Sequence, residues 1–79
     1  MARNQYIVIK HPTQINGMDM FEVRNRETGR IKFLSYRKYM AQDLANFVNG
    51  KGPSLAGYTA YLAGSHPAQY GIPCDQIEG

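Results

Sequence analysis

Met20 to Asn49 reads MFEVRNRETGRIKFLSYRKYMAQDLANFVN, and a change of period inside it decides the fold. From Met20 to Asn25, Phe21 and Val23 alternate with Glu22 and Arg24; from Arg30 to Leu34, Ile31 and Phe33 alternate with Arg30 and Lys32. Successive side chains of a strand point to opposite faces, so this pattern predicts two strands with Phe21, Val23, Ile31 and Phe33 on one face and the charged set on the other. Asn25-Arg26-Glu27-Thr28-Gly29 joins them. There Asn25 is suited to accept a bond from a following amide, and Gly29 to take the left-handed conformation that closes the loop.

After Leu34 the apolar spacing changes to three and four. Tyr36, Met40, Leu44, Phe47 and Val48 define the expected buried stripe of an amphipathic helix. Ser35 is its expected N-cap, with Leu34 and Tyr39 spaced as a hydrophobic staple, and Asn49-Gly50 its expected end. A hairpin alone is marginal in water; a helix laid on its apolar face gives it a core.

Upstream, Tyr6-Ile7-Val8-Ile9-Lys10 is rich in β-branched side chains and predicts a first strand that Pro12 stops, with a turn at Asn16-Gly17. Downstream, Gly50 to Ser54 breaks the chain, and Leu55 to Ala63 predicts a shorter helix with Leu55, Tyr58 and Leu62 on one face. His66-Pro67 opens one further turn through Tyr70. Gly71 to Gly79 has no periodicity and is expected to be an irregular tail, flexible or ordered by a partner, with Ile72 and Ile77 available to pin it. The expected architecture is α+β over residues 1–79 as one small domain: a three-stranded antiparallel meander packed against one main helix, then a shorter helix and the tail.

Seventy-nine residues provide for one core. No window approaches the ~20 apolar residues of a membrane span, so no membrane partner is expected. Cys74 stands alone, which excludes an internal disulfide and makes a reducing, cytoplasmic setting the expectation. All nine Lys and Arg fall in residues 1–51 against four acids, a net +5, whereas residues 52–79 carry only Asp75 and Glu78, a net −2. Such asymmetry favours encounter with an acidic surface or a phosphate backbone.

Chemistry is sparsely represented. His11, His66, Cys74 and Asp75 have no compact metal spacing, and Asp19, Glu22, Glu27 and Asp43 suggest no paired acid and base. Gly50-Lys51-Gly52-Pro53-Ser54 lacks the residue order of a phosphate loop. No enzyme activity, cofactor or metal is therefore expected. The outer sheet face collects Lys10, Glu22, Arg24, Arg30 and Lys32, with Arg26 at the hairpin tip; Tyr6 and Val8 join it if Ile7 and Ile9 point inward. Arg37 and Lys38 extend the basic region onto the helix, while Tyr61 lies off the Leu55, Tyr58 and Leu62 face and Tyr70 in a segment with little other packing. Tyrosine offers apolar area with a polar handle, a combination enriched at interfaces.

The expected function is a noncatalytic protein-binding module, an inhibitor or accessory subunit that docks on an acidic surface or on a nucleic-acid-processing complex. Direct DNA or RNA binding through phosphates is the alternative, and a structural homo-oligomer the second alternative. Small size and basicity are compatible with a phage or mobile-element accessory protein.

Overall fold

A computed structural model describes residues 5–51 and 66–78. Three strands, β1 (Tyr6–Lys10), β2 (Phe21–Asn25) and β3 (Ile31–Ser35), form an antiparallel sheet in that order, followed by helix α1 (Lys38–Val48) and two 3-10 turns, Pro67–Tyr70 and Cys74–Gln76. The expected meander and main helix are present. The shorter helix expected over Leu55 to Ala63 lies outside the described residues, as do Tyr58 and Tyr61.

Both expected turns form as their residues dictate. Asn16 and Gly17 have φ of 52° and 76°, and Ile15 and Met18 exchange two backbone hydrogen bonds across them, each 3.0 Å. In the β2–β3 hairpin, Glu27 N–H donates to Asn25 Oδ1 at 2.8 Å and Gly29 has φ 73°. Asparagine and glycine supply these conformations because their steric penalty at positive φ is small.

Register corrects the expected faces. Val8 lies opposite Val23 and Tyr6 opposite Asn25, which puts Tyr6 and Val8 toward α1 and Ile7 and Ile9 on the other face with Arg24 and Glu22. A bulge between Val23 and Arg24 then places Arg24 opposite Ile31, so that the extra residue, Lys32, falls between Ile31 and Phe33. An extra residue breaks strict alternation. Ile31 consequently leaves the helix-facing cluster, is buried elsewhere and pairs in parallel with Ile77.

The helix also begins later than its sequence suggests. Ser35 is the last residue of β3; Arg37 occupies the N-cap without a side-chain bond, while Ser35 Oγ accepts from Arg37 N–H at 3.2 Å. Tyr36 therefore precedes the helix and is exposed rather than buried, and Tyr39 is exposed rather than stapled to Leu34. The buried helical positions are Ala41, Leu44 and Ala45, which pack on Val23 and Phe33 with Tyr6, Val8, Phe21 and Val48 at the margin. Two alanines one turn apart let the helix approach the sheet closely, so Met40 and Phe47 fall to the flanks, half-buried.

At its C-terminus α1 ends as expected. Gly50 N–H bonds Phe47 O at 3.0 Å and Lys51 N–H bonds Asn46 O at 2.7 Å, the reciprocal pattern that satisfies terminal carbonyls through a left-handed glycine. Asn49 then ties the helix to the sheet. Its Oδ1 accepts from Tyr6 N–H and its Nδ2 donates to Tyr6 O, both at 2.9 Å, so one side chain imitates a neighbouring strand at the β1 edge.

The face opposite α1 is not the solvated surface that alternation implies. Met20, Glu22, Leu34 and Pro67 are all fully buried, and the Pro67–Tyr70 turn packs against β3. His66 caps that turn, its Nδ1 accepting from Ala68 N–H at 3.1 Å. Farther on, Glu78 N–H donates to Ile31 O at 2.9 Å and buried Ile77 anchors the tail against β3.

Candidate binding surface

The fold divides the basic residues between two ends of the sheet. Arg26 and Arg30 are exposed at the β2–β3 hairpin, whereas Arg37 and Lys38 are exposed where β3 passes into α1. Four residue steps along β3 separate these ends by roughly 13 Å. Residues adjacent in the sequence as one basic run thus form two patches.

Several other cations are paired with acids of the chain. Arg24 Nη2 donates to Glu22 Oε1 at 2.5 Å, and His11 Nδ1 hydrogen-bonds Glu22 Oε2. Glu22 is fully buried, so its carboxylate needs these donors to offset lost hydration. Lys10 lies 3.6 Å from Asp19. Lys32 lies 3.5 Å from Glu78.

Tyr6 is committed to the same internal network. Its hydroxyl donates to Glu78 Oε1 at 2.5 Å, and Asn25 Nδ2 donates to Glu78 Oε2. Burial, reinforced by the bond and charge of Glu78, pushes the Tyr6 phenol up to about 12. Burial also acts to raise Glu78, but bonds from Tyr6 and Asn25 and the Lys32 charge outweigh it and lower the carboxyl. Tyr6 is therefore a joint between β1 and the tail rather than a contact on an outer face.

At the end opposite the hairpin, sequence reasoning placed Arg37 and Lys38 at an interface but missed the exposed apolar side chains there. Met18, Tyr36 and Tyr39 are the exposed large apolar side chains among the described residues, at 42%, 45% and 56% exposure. Each leaves the sheet at the end where β1 stops, β2 starts and β3 passes into α1. Arg37 organises the two tyrosines. Its guanidinium carbon lies 5.1 Å from the Tyr36 ring centre, and Nη1 donates to Tyr39 Oη at 2.9 Å. The Tyr39 bond, with smaller contributions from the charge of both tyrosines, raises the Arg37 pKa. Lys38 and Lys10 make this end predominantly cationic, with Asp19 beside Lys10.

The sequence carried one legible signal for this site. Arg37-Lys38 puts two cations at a helix N-terminus, where the dipole disfavours them, so an exposed binding role would justify their position. Tyr36 matched the helical stripe only because the helix was assumed to start at Ser35. Of the other residues expected at an interface, Tyr70 is half-buried in its 3-10 turn and Tyr61 lies outside the described residues.

Among the described residues, no three His, Cys, Asp or Glu side chains converge as a metal site. Cys74 is an exposed free thiol, and His66 is occupied as a cap. No described helix is long and apolar enough to cross a membrane. The chain matches no protein-family model, no curated protein and no solved structure.

Proposed function

We propose that this chain is a noncatalytic protein-binding module, an inhibitor or accessory subunit working in a cytoplasmic setting, which docks an acidic protein surface on Tyr36, Arg37, Lys38 and Tyr39. The carrying observation is the ordered contact of Arg37 with two exposed tyrosines, at 5.1 Å from one ring and 2.9 Å from the other hydroxyl. Tyrosine and arginine are the side chains that most often dominate interface energetics, and holding them in place beforehand reduces the entropy lost on binding. Lys38 and Lys10 add long-range attraction for an acidic partner. The noncatalytic part of the reading is supported by Glu22, the fully buried acid, whose two oxygens are both occupied by His11 and Arg24.

The same cluster offers the parts of a single-stranded nucleic-acid site, aromatic faces beside cations, which keeps direct phosphate binding as the second reading. One experiment separates the two. The immobilised chain is used to retain a macromolecule from its source cell, which is then purified and titrated against wild type and a Tyr36→Ser/Arg37→Glu/Tyr39→Ser variant of unchanged circular dichroism. The expected result is a protein whose affinity falls at least about tenfold, or ~1.4 kcal/mol, in the variant. Equal affinities would refute the assigned surface. A retained species released by nuclease and by added salt would replace the protein reading with the nucleic-acid one.

A further inference from the structure

Among the described residues nothing pairs with the outer edge of β1 at Val8 and Lys10, and the backbone there specifies what can occupy it. Bonds from His11 N–H to Met20 O at 2.8 Å and from Arg26 N–H to Gln5 O at 2.7 Å fix the phase of the β1–β2 ladder. Residues 5, 7, 9 and 11 therefore direct their amides and carbonyls to β2, and Tyr6, Val8 and Lys10 direct theirs away from it. Tyr6 is satisfied by Asn49. The outward groups of Val8 and Lys10 have no hydrogen-bond partner among the described residues.

We infer that this edge pairs with a second copy of itself, joining two three-stranded sheets antiparallel across a two-fold axis at Ile9. Val8 then exchanges two hydrogen bonds with the partner's Lys10, and Lys10 exchanges two with the partner's Val8. These four bonds use the outward N–H and C=O groups of Val8 and Lys10 on both edges. In the same register β1 of the partner ends at Lys10, short of the place beside Tyr6 that Asn49 fills, so the two do not compete for it.

Side chains agree with this register. Ile9 is half-buried on the face away from α1, and the two-fold axis sets it beside the partner's Ile9, where cross-strand apolar contact removes the remaining exposed area. Lys10 and the partner's Lys10 fall diagonally on the other face. Asp19, 3.6 Å from Lys10, offsets their repulsion within each copy. A contact with two open residues per edge is small, so association is expected in the weak, transient range.

Sedimentation equilibrium from about 10 μM to about 1 mM, with amide hydrogen exchange at both extremes, tests the inference. The expected outcome is a mass rising from 8.9 kDa toward twice that value, with protection gained at the Val8 and Lys10 amides while Ile7 and Ile9 are already protected at low concentration. Val8→Pro should remain monomeric, because its amide contributes nothing to β2 and proline is tolerated on an outward-facing edge. Should Val8→Pro fail to fold, the wild-type exchange pattern decides alone. A constant mass of 8.9 kDa, association without new protection at Val8 and Lys10, or a folded Val8→Pro that still dimerises would each overturn it.

Discussion

Replacing Glu22 by Ala is the sharpest test of how this small domain is held together. The Glu22 carboxylate is fully buried and its oxygens bind His11 and Arg24. Each such bond to a charged group contributes ~1.5 to 3 kcal/mol. Removing one partner of a buried ion pair costs ~3 to 5 kcal/mol, because the remaining charge stays poorly hydrated. Arg24 retains 35% side-chain exposure, so water recovers part of its loss and the lower end, about 3 kcal/mol, is expected. A chain of 79 residues has a total stability of roughly 4 to 12 kcal/mol. Glu22→Ala should therefore shift the urea midpoint strongly at nearly constant m-value, whereas an apolar replacement of all three residues, His11→Phe, Glu22→Leu and Arg24→Leu, should restore most of the stability. A loss below about 1 kcal/mol for Glu22→Ala would refute the reasoning, since it would mean that the carboxylate is not shielded from water.

Other consequences concern the joints between elements. Asn49→Ala removes two hydrogen bonds to the Tyr6 backbone and should destabilise by about 2 kcal/mol in urea titration, with Asn49→Asp at least as costly because its second oxygen would face the Tyr6 carbonyl. The lowered Glu78 carboxyl contributes stability that is complete above the ordinary carboxylate range and lost as pH falls through its folded value. Denaturation midpoints measured down the acid limb should accordingly converge for wild type and Glu78→Gln. At the opposite extreme, the neutral Tyr6 phenol is favoured by the fold, so its contribution is present below the ordinary tyrosine value of 10 and lost as pH rises through about 12. Absorbance titration near 295 nm should show one late-ionising tyrosine that Tyr6→Phe removes.

How much of this was legible varies with the range of the interaction responsible. Asn25, Gly29, Asn16 and Gly17 act on backbone within a few residues, and their turns form as read. His66 likewise caps the turn that immediately follows it. Glu22 and Arg24 read as solvated because alternation identifies two faces but cannot tell what covers either one. The bulge at Arg24 also has no local marker, and it moved Ile31 off the helix-facing cluster. Tyr36 was misplaced by a two-residue difference in where the helix starts, enough to turn a side chain from core to surface.

The sequence by itself determined the stretch from Met20 to Asn49: two strands, their connecting loop, and a helix ending at Asn49-Gly50. Those features follow from side-chain periodicity and from the few residues that tolerate particular backbone angles. Only the tertiary structure decided that Glu22 is buried, that Tyr6 joins Glu78, and that Met18, Tyr36 and Tyr39 emerge at one end of the sheet. These depend on register and on segments more than thirty residues away packing back onto β3. Periodicity specifies that a face exists; which partner meets it is settled by long-range packing, where a one-residue bulge changes the answer.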